Sequence, residues 1–167
     1  MDLLEGLRSR RSIRRFTNEP ITREQLLEII TAGTWAPSGQ NNQPWRFVSI
    51  VNKEVLGGLA RLTKYGHVIE KAPACIAVFI DKDAMYHEVK DHQSMGACLQ
   101  NMLLAAHGKG LGAVWLGESL KSAEEVRTLL GVPEAMELMA VVVLGHPDGK
   151  GGTSSRKGVQ DVLLKEL

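Results

Sequence analysis

The chain has 167 residues, of which 44% are hydrophobic and 23% charged. It is long enough to bury the core of one domain and too apolar to stay disordered. Lys plus Arg (20) nearly balances Asp plus Glu (19), leaving a formal charge of +1; this excludes a uniformly basic nucleic-acid coat or an acidic solvating chain, but not a local patch.

Leu3, Leu4 and Leu7 share one face of a short N-terminal helix, which runs into a basic stretch from Arg8 to Arg15. A second helix starts at a capping box, with Thr22 and Gln25 three apart and Ile21 placed to staple onto Leu26. Leu26, Leu27, Ile29 and Ile30 form its apolar face, and Gly33 is the expected stop. A polar, turn-rich loop occupies residues 36–44. Residues 45–51 read as a strand, with Trp45, Phe47, Ser49 and Val51 on one side and Arg46, Val48 and Ile50 on the other. A short helix is expected over residues 54–62 and a buried strand over the apolar run 74–80.

Residues 93–107 form the longest helix candidate and are apolar nearly all round, so other protein must surround that helix. Glycines at 108, 110 and 112 end it before a short strand over 113–116. Ser122 and Glu125 have the spacing of a second capping box, with Gly131 and Pro133 as the stop, and residues 138–144 read as another buried strand. Residues 146–155 are polar and glycine-rich, and residues 159–167 form a weakly amphipathic tail. No repeat or linker interrupts this order, so one domain over residues 1–167 is expected, of α/β or α+β class.

Two cysteines cannot make a disulfide framework, so a reducing compartment, the cytoplasm, is expected. The N-terminus lacks a secretory pattern, and no apolar run reaches the roughly 18 residues of a membrane span. Gly108-Lys109-Gly110-Leu111-Gly112-Ala113 matches the loose dinucleotide fingerprint, but it follows a helix and precedes a strand, the reverse of the order that aims a helix N-terminus at pyrophosphate. Cys75 and Cys98 sit in apolar runs without ligands at metal spacing, so they read as packing residues and no metal site is expected. No nucleophile elbow or acid–base pair is visible, and no side chain is assigned a catalytic role.

Two segments carry chemistry. Arg8, Arg10, Arg11, Arg14 and Arg15 crowd into one stretch of an otherwise neutral chain, with Ser12 among them. Guanidinium groups give planar, multi-donor contacts suited to phosphate. The same cluster could instead be a solvated helix end complementing the dipole of the first helix. The loop Ala36-Pro37-Ser38-Gly39-Gln40-Asn41-Asn42-Gln43-Pro44-Trp45 offers donors and acceptors on a proline-stiffened backbone, as a heterocycle edge requires; a polar surface turn is the simpler alternative.

Together these segments resemble the nitroreductase family of FMN-dependent oxidoreductases, and the resemblance covers nearly the whole chain. Arg10 to Phe16 is similar to the family's R-x-S-x-R-x-F motif, and Pro37 to Trp45 to its P-S-x-x-N-x-Q-P-W loop. Gln100 to Ala106 resembles the central helix, and Gly110 to Gly117 a glycine-flanked strand. The resemblance implies an α+β fold, a mixed, mainly antiparallel sheet flanked by helices, in an intertwined homodimer with active sites at the subunit boundary. It implies that Arg10, Arg11, Ser12 and Arg14 hold the phosphate, ribityl chain and pyrimidine edge of FMN, and that Arg156 returns to the phosphate. Pro37, Ser38 and Asn41 would reach the flavin from the other subunit, and backbone near Leu116 and Gly117 would lie by flavin N5. The implied reaction is ping-pong hydride transfer from NAD(P)H to an electron-poor acceptor such as a nitroaromatic or quinone.

Many relatives carry lysine where Ser154 stands and an acidic residue where Ser94 stands, and the segment between Leu62 and Gln93 is short. A flavin protein with a different redox reaction is the alternative reading. A small basic nucleic-acid module is the other, and it is disfavoured by an aromatic content of only 5% and the near-zero net charge.

Overall fold

Alternation along residues 45–50 decides the layering. In strand β1 (Trp45–Ile50), Trp45 and Phe47 enter one core while Val48 and Ile50 enter the opposite one. The structure, a computed structural model describing residues 2–167, is therefore an α+β arrangement with one sheet between two helical layers. Strand β2 (Ala74–Asp81) is buried at every position, because both of its faces are covered. The sheet order is β1-β2-β4-β3, with β3 spanning Gly112–Leu116 and β4 spanning Met136–Gly145, and all strand pairs are antiparallel.

The first core packs helices α2 (Arg23–Thr34) and α5 (Glu88–Gly108) on the sheet, joining Leu26, Ile29, Leu99 and Met102 to Ile76 and Val142. The second lies under α3 (Lys53–Ala60), α4 (Gly66–Glu70) and α6 (Ala123–Leu129). The Thr22–Gln25 capping box is present, and Ile21 and Leu26 are buried in the same core.

Three expectations are corrected. Gly33 does not stop α2, which continues to Thr34; a Cβ on Gly33 would lie 2.8 Å from Met102 Cγ, so the missing side chain serves close packing against α5. Helix α5 starts at Glu88 rather than at residue 93, because its first turn is polar and invisible to an apolar period. Ser122 makes no capping bond: a 3-10 turn (Gly117–Ser122) runs straight into α6, and Ala123 N–H donates to the Leu120 carbonyl instead.

Helix α1 (Leu3–Ser9) is capped by Asp2, yet Leu3, Leu4 and Leu7 remain exposed. Beyond it the chain runs along the outer edge of β3. Ile13 N–H donates to the Ala113 carbonyl at 3.0 Å, Ser12 forms a parallel bridge with Ala113, and Thr17 N–H donates to the His146 carbonyl at 2.9 Å. Residues 148–158 carry no helix or strand, and α7 (Val159–Val162) is one exposed turn. Among the described residues no helix is long and apolar enough to cross a membrane.

Candidate functional site

The arginines divide their work. Arg11 turns back on α1, its Nη1 donating to the carbonyls of Arg8 (2.7 Å) and Arg10 (2.8 Å), which closes the open end of that helix. Arg15 pairs at the surface with Asp148 at 3.3 Å, a contact of little energetic weight. Arg14 is exposed and, with Ser12 and the glycines of residues 149–152, lines a cavity of about 240 Å³. Arg10 is half-buried, and burial, then the neighbouring Arg11 and Arg156, push its guanidinium below the usual value.

Arg156, from the far end of the chain, lies within electrostatic reach of Arg10 and is steadied by a bond from its Nη1 to the Ser155 carbonyl (2.8 Å) and a contact with Ser154 Oγ. Among the described residues, none of Arg10, Arg11 and Arg156 forms an ion pair with a carboxylate. Arg10 thus feels the like charges of Arg11 and Arg156 without a counter-charge, and a dianion with several acceptor oxygens fits that set of donors. The phosphate of FMN is such a group. The segment reaches this position because glycines lie beneath it: a Cβ on Gly112 would come 2.7 Å from Ile13 Cγ2, and one on Gly151 would collide with Arg11.

The loop over residues 36–44 is shaped from within. Ser38 Oγ accepts from Gln43 N–H at 3.1 Å, and Asn41 N–H donates to the Ser38 carbonyl at 3.0 Å. Gln40, Asn41 and Gln43 all have left-handed backbone, with φ of 54°, 55° and 47°. Pro37 and Ser38 line a cavity of about 340 Å³ with Gly39, Tyr86, Lys90 and Gln93, separate from the arginine cavity. Within one chain the structure does not bring Pro37, Ser38 and Asn41 to the arginines.

At the end of β3, Leu116 is buried and Gly117 exposed. A Cβ on Gly117 would meet nothing nearer than Trp115 Nε1 at 3.8 Å, so the backbone there is open to a flat ligand. Sequence reasoning passed over Glu118, whose Oε2 accepts from Thr63 Oγ1 at 2.5 Å and from Lys64 N–H at 3.2 Å. The Thr63 bond outweighs burial and, helped by Lys64 N–H and Lys121, holds this carboxyl below its usual range. It also passed over Asp91, wholly buried near the start of α5 and bonded to Asn42. Ser94, one turn later, only returns its hydroxyl to the Lys90 carbonyl, so the buried acid of this helix stands three residues before the position expected from relatives.

The chain is similar to known proteins over most of its length. The model of the Nitroreductase family matches residues 7–67 and 53–146. A Methanothermobacter thermautotrophicus protein assigned as an NADH dehydrogenase/NAD(P)H nitroreductase is 34% identical over 155 residues, covering 92% of this chain and 81% of the relative. Among solved structures, a Desulfovibrio desulfuricans protein assigned as a nitroreductase, crystallised with FMN, superposes with a TM-score of 0.95 at 46% identity, over 100% of this chain and 98% of that one. The NADPH:FMN oxidoreductase of Vibrio harveyi, solved with NAD+, gives a TM-score of 0.88 at 30% identity, over 98% of this chain and 76% of that one.

Proposed function

The chain belongs to the nitroreductase family, and from that premise we propose which of its residues hold the cofactor and how the site is completed. The protein is an FMN-dependent NAD(P)H oxidoreductase. The observation that carries the site is that the charges of Arg11 and Arg156 act on half-buried Arg10 while none of the three is paired with a carboxylate among the described residues. These cations neutralise the FMN phosphate, with Ser12 and Arg14 extending the donor set toward the ribityl chain and the pyrimidine edge. Held there, FMN would supply the redox chemistry that couples oxidation of NAD(P)H to reduction of a second substrate in ping-pong fashion.

The protein contributes position and charge. Gly117 leaves room for a planar ring against the β3 terminus, where backbone at Leu116 and Gly117 orients the ring edge. Arg10 and Arg14 supply positive potential where negative charge develops on reduction, which favours the reduced state. Pro37, Ser38 and Asn41 of a second copy complete the site, since within one chain that loop faces a different cavity. Unpartnered apolar side chains support the homodimer: Leu3, Leu4 and Leu7 on α1, Trp35 before the loop, and Val162 and Leu164 in the tail are all at least 46% exposed. The acceptor is a small electron-poor molecule, a nitroaromatic or quinone, and the whole chain acts as one FMN-binding domain in the cytoplasm.

Anaerobic titration tests this reading. NADH or NADPH should bleach the flavin absorption of the holoprotein, and a nitroaromatic or quinone should restore it. A protein that binds no added FMN overturns the reading, and a flavin that is bleached but reoxidised by neither acceptor overturns the acceptor assignment.

A further inference from the structure

We propose that Asp91 is a positioning residue for the flavin, acting through Asn42 and the backbone of residues 84–87 to hold the loop carrying Pro37, Ser38 and Asn41 in its binding shape. This inference rests on the assignment of that loop to the flavin.

One carboxylate joins three segments. Asp91 Oδ1 accepts from Asn42 Nδ2 at 2.7 Å, while Oδ2 accepts from the N–H groups of Tyr86 (2.9 Å) and His87 (2.8 Å). Asn42 Nδ2 donates its second hydrogen to the Ala84 carbonyl at 3.0 Å. Both neighbours of that nitrogen only accept, so the amide has one permitted orientation, and its Oδ1 is left buried without a partner. A half-satisfied buried amide beside a buried carboxylate is a poor choice for stability alone, since well-packed apolar groups would usually serve as well or better. What the arrangement provides is a fixed geometry for the loop directly above it.

That loop needs to be held. Three of its non-glycine residues, Gln40, Asn41 and Gln43, are left-handed, and Asn42 between them is the residue anchored to Asp91. Backbone of this kind persists only where surrounding contacts over-determine it. The strap adds a second restraint: Tyr86, whose N–H is fixed by Asp91, lays its ring on Gly39 so closely that any Cβ there would collide with it. An amide cannot replace the carboxylate, because a side-chain amide at this position would have to present its donor either to the Asn42 amide nitrogen or to the two backbone N–H groups.

The test uses stripped full-length protein titrated with FMN, reading quenching of flavin fluorescence and the visible circular dichroism of the bound flavin. Asp91→Asn and Asn42→Ser should each raise the Kd for FMN by about tenfold to a hundredfold and alter the dichroism of the flavin that does bind. The loss should be less than additive with Ser38→Ala, which acts on the same loop, and additive with Arg10→Met, which acts at the phosphate. A role confined to stability would lower the melting temperature and leave the Kd and dichroism of folded protein unchanged. If Asp91→Asn does not fold, Asn42→Ser carries the same comparison, because it keeps the Asp91 charge and both backbone bonds. Wild-type protein that quenches FMN alongside variants with unaltered Kd and dichroism overturns this inference alone; wild-type protein that leaves FMN unquenched overturns the flavin reading and this inference together.

Discussion

The ring of Phe16 lies on the backbone of Gly145 so closely that a Cβ at residue 145 would meet Phe16 Cδ1 at 2.6 Å. Gly112, its cross-strand partner, stands in the same relation to Ile13. Phe16 and Ile13 flank Arg14, so these two glycines set how near the cationic segment lies to the sheet. Gly145→Ala should therefore cost stability, about 1–3 kcal/mol as for other overpacked sites, and should also weaken FMN binding by moving the arginines. Chemical denaturation and flavin titration check this; wild-type values in both would show that the segment yields freely.

Removing Arg10 should separate stability from binding. In the stripped protein the charges of Arg11 and Arg156 act against its own, so Arg10→Met relieves repulsion and should leave the melting temperature unchanged or raise it. The same variant should bind FMN at least about tenfold more weakly, since a charge-assisted bond to phosphate is lost. Inorganic phosphate should raise the melting temperature of the wild type more than that of the variant. An equal response in both would remove Arg10 from the anion site.

Asp91 makes the pH dependence directional. Burial by itself would raise its carboxyl, but bonds from His87 N–H, the Asn42 amide and Tyr86 N–H together bring it below the usual value. A carboxyl depressed in the folded state contributes stability that is present above its unfolded value, about 3.9, and lost as pH falls through the folded value. Denaturant midpoints of the wild type should fall below about pH 4 more steeply than those of Asp91→Asn. Parallel curves would show that another group governs the acid limb.

The cysteines should be inert in the native protein. Burial pushes the Cys98 thiol up to about 12 and the Cys75 thiol further still. A thiol reagent near pH 8 should label neither until the protein is unfolded, after which both should react. Labelling of folded protein at a rate typical of exposed thiols would contradict the burial of Cys75 in β2 or of Cys98 in α5.

Much of the fold is legible from local pattern. Alternation over residues 45–50, the apolar runs that became β2 and β4, and the Thr22–Gln25 cap all depend on neighbours within a few residues. The start of α5 was not legible, because its first turn is polar and its N-cap is His87. Nor was the role of Gly33, since a helix stop and a packing site use the same residue for different reasons. The arginine cluster was legible as a cluster, but Arg11 closing α1, Arg15 meeting Asp148 and Arg10 left unpaired among the described residues were not distinguishable in a run of like residues.

The order of residues alone determined that helices and strands intermix in one chain, and it fixed the cationic segment, the amide-rich loop and the motifs that resemble the family, because each is written in short-range spacing and residue type; the antiparallel pairing that makes the class α+β came with the structure. Tertiary structure alone decided that Asp91 lies beneath Asn42, and that Pro37 and Ser38 face a cavity apart from the arginines. Such relations depend on where distant segments meet after burial of the two cores, and no periodicity along a chain records that meeting.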